Sequence, residues 1–211
     1  LTGTPETGPL RTGFPLADYS TPLLASVGIL GALFARQADG DGQAIDLSMF
    51  DATLFAAIPR EGYCFALGRT PARLGNEHPQ IAPYNVYPTR DGRPVLVVAH
   101  VEKFWRSLCR ALGAEALAED PRFRTNADRL ANREALNQRL AALFRERSLA
   151  EWSERLAEAG VLFAPVCDLA EVLDDPRVRA GGMVVELDHP AAGRIKVLGN
   201  PLKFSRTPAQ L

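Results

Sequence analysis

Apolar residues recur at helical spacing at Leu23, Leu24, Val27, Leu30, Leu33 and Phe34, and Thr21 followed by Pro22 supplies an N-cap and a first-turn proline. The pattern predicts a helix over about 21–38. Its other positions carry Ala25, Ser26, Gly28, Gly31, Ala32 and Ala35, small side chains that admit a close backbone, so this helix is expected to be buried on most sides. The run D-G-D-G at 39–42 stops it, and residues 43–49 alternate like a strand with Ile45, Leu47 and Met49 on one side. Ser48 and Asp51 stand at capping-box spacing, which predicts a helix running through Ala56 and Ala57 that Pro59 kinks or ends. A strand flanked by helices is α/β patterning.

The Gly/Pro/Arg-rich stretch 68–83 reads as a linker or crossing loop. Beyond it, Y-N-V-Y-P-T and R-P-V-L-V-V-A flank the turn R-D-G, predicting a hairpin closed by Asp91-Gly92. Helical spacing follows at 101–113, 126–146 and 149–159, then a short strand in V-L-F-A-P-V, then a second hairpin around Ala191-Ala192-Gly193. This second unit is α+β. The Gly/Pro/Thr-rich opening, residues 1–15, is expected to start no core.

Composition narrows the partners. With 46% hydrophobic and 23% charged residues the chain is globular, and 24 cations against 25 anions leave no basic block for nucleic acid or a membrane surface. Every apolar run reads as too short or too interrupted to cross a bilayer. Cys64, Cys109 and Cys167 are odd in number and widely spaced, which encodes neither a disulfide framework nor a zinc site and points to reduced thiols in a cytoplasmic protein. His78, His100 and His189 lie in different elements without a partner at ligand spacing. Walker A, G-x-S-x-G and G-x-G-x-x-G motifs are absent, so P-loop, nucleophile-elbow and dinucleotide chemistries lack a warrant. The chain opens on Leu1 and stops at T-P-A-Q-L, so both ends look cut.

An aspartate just ahead of a helix is ordinarily a cap. With Thr21 at the N-cap and Pro22 at the first helical position, however, Asp18 falls three residues outside the helix, and capping does not require it. A carboxylate there would feel the positive end of the helix dipole, and the helix's unpaired N–H groups could stabilise oxyanions formed nearby.

The stretch G-F-P-L-A-D-Y-S-T (13–21), with V-G-I-L-G-A-L-F-A-R (27–36) and G-D-G-Q-A-I-D-L-S-M-F-D-A (40–52), resembles the signature of the family III coenzyme A transferases, the CaiB/BaiF family. The likeness continues through L-G-N-E-H-P-Q-I-A-P-Y (74–84), D-P-R-F (120–123), N-x-x-R (126–129), N-R-x-x-L (132–136) and G-N-P-L-K-F-S (199–205), covering nearly the whole chain. It implies α/β architecture: part of a Rossmann-like large domain joined to a smaller α+β domain. The expected segments are 1–50 with the catalytic Asp, a helical linker over 51–75, the small domain over 76–180, and a return segment over 181–211. Family members are about twice as long, so an N-terminal half holding most coenzyme A contacts is expected to be missing and the isolated chain to be inactive.

The resemblance further implies that Asp18 is the carboxylate that forms an anhydride with the acyl group and then a thioester with coenzyme A. The substrates would be an acyl-CoA and a carboxylic, here dicarboxylic, acid, with no metal or redox cofactor and a homodimeric assembly. A carboxylate is anionic at neutral pH and needs no general base; rate must come from positioning and oxyanion donors. Tyr84 is the substrate-pocket candidate, its ordinary alternative being edge-strand packing. The family's shielding glycine-rich loop has no match, since G-R-T-P-A-R-L-G-N carries only isolated glycines. An alpha-methylacyl-CoA racemase-like enzyme is the nearest rival, its histidine then lying upstream of Leu1; a non-catalytic assembly fragment is the other.

Overall fold

The computed structural model describes residues 1–209. It divides into two compact units, Leu1–Pro79 and the chain from Gln80 onward, and each is treated by itself.

The first unit opens with a small hairpin of β1 (Gly3–Thr4) and β2 (Gly8–Pro9) in the Gly/Pro/Thr-rich stretch expected to start no core, and neither strand holds a fully buried residue. A Cβ on Gly3 would stand 2.0 Å from the Gly8 carbonyl oxygen, so only glycine fits this strand position. The hairpin is tied at its open end: Leu10 N–H donates to the Thr2 carbonyl at 3.1 Å and Gly75 N–H to the Gly3 carbonyl at 2.8 Å. Helix α1 (Leu16–Asp39) follows and ends where D-G-D-G predicted, Gly40 adopting the left-handed conformation with its N–H on the Arg36 carbonyl.

Two expectations about α1 are corrected. It starts at Leu16 rather than near Thr21, so Pro22 lies inside it and Asp18 in its first turn. The Thr21 hydroxyl, instead of capping, donates back to the Ala17 carbonyl at 2.8 Å. Pro15 takes the N-cap position with its φ preset, and an acidic residue in the first turn suits the dipole. Nor is α1 buried on most sides, since none of its residues is fully buried. Ala17, Ser20, Leu24, Gly28, Ala32 and Ala35 form one half-covered stripe, while Leu23, Val27, Leu30 and Phe34 are exposed.

Within the unit only short elements are available to cover α1. Residues 41–48 form no strand, because no neighbouring strand pairs with them; Ile45 instead packs toward Gly28, 3.5 Å from where a Cβ would be. Ser48 then caps α2 (Met49–Phe55) as predicted, accepting from Asp51 N–H at 3.0 Å, and the helix ends just before Ala56, Ala57 and Pro59. A short α3 (Gly62–Leu67) follows inside the stretch expected to be a linker. At 24 residues α1 is also long and apolar enough to cross a membrane by length and composition, contrary to the sequence reading, although core helices of soluble proteins pass the same test.

The second unit follows its predicted hairpin closely. β3 (Tyr84–Pro88) pairs antiparallel with β4 (Pro94–Val98), and the turn uses Gly92 at φ 75°. Val95, Val97 and Ala99 alternate inward. They meet α4 (Glu102–Leu112), whose Trp105, Leu108, Cys109 and Leu112 are buried at helical spacing.

After α5 (Ala116–Glu119), the predicted helix over 126–146 is two, α6 (Asn126–Ala131) and α7 (Arg133–Phe144). Asn132 breaks it by donating its side-chain amide to the Asp128 carbonyl at 2.9 Å and the Arg122 carbonyl at 3.2 Å. Leu136, Leu140 and Phe144 of α7 and Leu149, Trp152 and Leu156 of α8 (Leu149–Glu158) complete the core, and β5 (Leu162–Pro165) adds to β4. Two short helices, α9 (Leu169–Asp174) and α10 (Pro176–Ala180), precede the second predicted hairpin, β6 (Val184–His189) with β7 (Gly193–Leu198). The mixed helix-and-sheet class is the one expected; every strand pair among the described residues is antiparallel.

Candidate functional site

The mouth of α1 is built from residues with little capping capacity. Pro15 at the N-cap has no side-chain donor or acceptor, and no side chain caps this end. Leu16 N–H donates to the Phe14 carbonyl at 2.9 Å and Tyr19 N–H to the Pro15 carbonyl at 3.2 Å. Among the described residues the amides of Ala17 and Asp18 are left as the unpaired donors of the first turn. Further along, Pro22 has no N–H to give to the carbonyl four residues back, that of Asp18. Asp18 therefore sits at the third helical position, exposed, in no ion pair among the described residues, beside backbone groups the helix does not use.

The side chain lines a cavity of about 570 Å³, within the range of roughly 300–1,000 Å³ typical of small-molecule clefts. The wall is drawn wholly from the first unit: Arg11 through Ala17 on the Asp18 side, and Thr53 from α2. Arg11 and Asp18 are its two charged side chains. The loop is held on both flanks, since the Thr2 hydroxyl donates to the Leu10 carbonyl and the Thr12 hydroxyl donates to the Phe14 carbonyl at 2.8 Å. A carboxylic side chain, two backbone amides at a helix start and one arginine thus line the same recess.

Tyr84 belongs to the second unit, where it is half-buried at the head of β3, opposite Val98. The backbone just before it is clamped. Asn126 donates to the Gln80 carbonyl at 2.9 Å and accepts from Ala82 N–H at 3.1 Å, and Arg129 Nε donates to the Ala82 carbonyl at 2.5 Å. Among the described residues no cluster of three or more His, Cys, Asp or Glu could hold a metal ion.

The model for CoA-transferase family III matches residues 1–211. The chain belongs to that family. It is 37% identical over 206 residues to the acetyl-CoA:oxalate CoA-transferase of Acetobacter aceti, covering 97% of this chain and 51% of the relative. It is 32% identical over 213 residues to the succinate–glutarate CoA-transferase of Agrobacterium fabrum, covering 99% and 52%. A crystal structure of a CaiB/BaiF family protein from Brucella suis superposes with a TM-score of 0.82 at 33% identity, over 100% of this chain and 54% of that one. The chain therefore spans about half the length of the family III relatives it matches.

The sequence singled out Asp18, which lines the cavity, but not the residues that line it alongside. Arg11 had a signal, as a lone cation in the Gly/Pro/Thr-rich opening, whereas Thr53 had none, because only the return of α2 against α1 brings it to the recess. The free amides of Ala17 and Asp18 were hidden by the misplaced helix start.

Proposed function

We propose that this chain carries the reacting carboxylate of a transferase that moves coenzyme A from an acyl-CoA donor to a dicarboxylic acid. The observation that carries the reading is Asp18: an exposed carboxylate lining a cavity beside the unpaired amides of Ala17 and Asp18. Oxalate, succinate and glutarate, named for the two family III relatives, are all dicarboxylic acids and support the acceptor class.

In this mechanism an Asp18 oxygen attacks the thioester carbon of the donor, the C–S bond breaks, and CoA thiolate leaves a mixed anhydride. The thiolate attacks the aspartyl carbonyl of that anhydride and expels the donor acid, leaving an aspartyl-CoA thioester. An acceptor carboxylate then attacks the same carbonyl and releases the thiolate. The thiolate attacks the acceptor's carbonyl carbon and frees the Asp18 carboxylate. No electron is gained or lost, and the nucleophile is anionic throughout, so no base and no redox cofactor enters. The Ala17 and Asp18 amides are candidate oxyanion donors, and removing one such donor typically costs about 10²–10³-fold in kcat. A homodimer acting in the cytoplasm completes the proposal on the family resemblance alone.

The test is to incubate the intact protein with acetyl-CoA and no acceptor. A hydroxylamine-sensitive CoA adduct mapped to Asp18 is expected, and Asp18→Asn should lose the adduct and on the order of 10³-fold in turnover. Turnover by Asp18→Asn within tenfold of the parent, or deuterium exchange at the alpha carbon of an acyl-CoA without any adduct, would overturn transfer. The bare side chains of Leu23, Val27 and Phe34 favour a second reading, in which this 211-residue chain is inactive alone and works only with further surface over α1. That reading expects no CoA binding by the lone chain and recovery in a full-length protein.

A further inference from the structure

We propose that Arg11 is the specificity-determining residue of the Asp18 recess, its guanidinium holding the non-reacting carboxylate of a dicarboxylic acceptor while the other carboxylate reaches the aspartyl carbonyl. This rests on the transferase reading above. A dicarboxylate presents a difficulty that a simple fatty acid does not: one carboxylate reacts, and the other must enter the same recess as an uncompensated anion. A cation placed to pair with it would favour a diacid over a monoacid of the same length. The lining otherwise offers the apolar Phe14, Pro15 and Leu16 and the hydroxyls of Thr12 and Thr53, so Arg11 is the one cation in the recess able to meet that charge.

Three features of Arg11 fit the role. Its guanidinium is committed to no other group, since it makes no ion pair or hydrogen bond among the described residues. Its backbone is not free to drift, because Leu10 is bonded to Thr2 through both its amide and its carbonyl, and Thr12 is bonded to Phe14. The planar fork of Arg matches a carboxylate through two parallel hydrogen bonds and keeps its charge at any working pH. The unit's other cations, Arg36, Arg60, Arg69 and Arg73, do not line the recess.

The experiment compares Arg11→Met and Arg11→Lys with the parent in the intact protein, with acetyl-CoA as donor and succinate, glutarate, butyrate and valerate as acceptors. Arg11→Met should raise KM for the two diacids by about 10- to 100-fold, the factor expected for a charge-assisted pair, with kcat within about twofold. KM for butyrate and valerate should stay put, and Arg11→Lys should recover part of the loss. An unchanged diacid-to-monoacid ratio, equal losses for both acids, or a native protein that uses butyrate but neither diacid would each overturn the assignment.

Formation of the Asp18 adduct from acetyl-CoA alone is followed in the same samples. An adduct in Arg11→Met with an unchanged acceptor ratio sinks the role of Arg11 and leaves the transferase reading standing. Its loss in Arg11→Met alone assigns Arg11 to the acyl-CoA and overturns the acceptor role. Absence of the adduct in the parent sinks both.

Discussion

Replacing Arg129 by Met should destabilise the second unit by about 3–5 kcal/mol, the usual cost of removing one partner from a buried charged network. Arg129 is fully buried. Its Nε donates to the Ala82 carbonyl at 2.5 Å, its Nη1 to the Phe123 carbonyl at 3.0 Å and the Arg124 carbonyl at 3.3 Å, and both terminal nitrogens reach Glu102, the closer at 2.9 Å. The guanidinium also lies 5.1 Å from the Trp105 ring centroid. Met keeps most of the volume and removes every donor. Each carbonyl left dry costs about 1–3 kcal/mol, while Glu102 can return to water because its side chain is half exposed.

A loss of that size is a large share of the roughly 5–15 kcal/mol that holds a domain together, and corresponds to a drop in Tm of roughly 10–20 °C for a unit of this length. The assay isolates the unit, because Trp105 and Trp152 are the only tryptophans and both are buried there. Urea unfolding followed by their fluorescence should show a lower midpoint with an unchanged slope. As a control, Glu102→Gln retains an acceptor for Arg129 and should cost much less. A change below about 1 kcal/mol in Arg129→Met would refute the idea that the clamp on Ala82, Phe123 and Arg124 carries this fold.

Three further outcomes follow from the titratable groups. Burial pushes the Cys109 thiol up to about 12, whereas Cys64 and Cys167 are exposed, so an aromatic disulfide reagent at pH 8 should modify two thiols in the native protein and the third only after denaturant is added. Since an unfolded thiol ionises near 9 and the folded one near 12, stability should fall as pH rises across that window, and Cys109→Ala should remove that dependence. In acid, the Thr125 side chain holds Asp128 below the usual carboxylate range, the Ser148 side chain does the same for Glu151, and the Arg177 side chain brings Asp175 to about 2. These groups stabilise the fold above their unfolded values near 4, and the contribution is lost as pH falls through the lower folded values; amide protection factors, corrected for the intrinsic exchange rate at each pH, should fall at the starts of α6, α8 and α10 as pH drops from about 5 to about 2, and unchanged protection factors across that range would contradict it.

The sequence determined what is local. Alternation at Val95 and Val97 with Gly92 in the turn specified the β3–β4 hairpin, the spacing of Trp105, Leu108 and Leu112 specified α4, and Ser48 with Asp51 specified the start of α2. Asp18 was singled out from the residues around it, and it lines a cavity, but the helix that carries it was placed a turn and a half late. That error has a physical cause: a Thr-Pro pair reads as a helix start by propensity, but Pro15 and the back-bonded hydroxyl of Thr21 let the helix begin earlier and run through Pro22. Only the tertiary structure decided the rest. Residues 43–49 alternate like a strand but find no ladder partner, Asn132 divides a continuous periodic run by bonding to Arg122 ten residues back, and Thr53 reaches the Asp18 recess because α2 returns against α1. Each of these depends on a partner distant in sequence, and periodicity along one segment carries no information about which partner that will be.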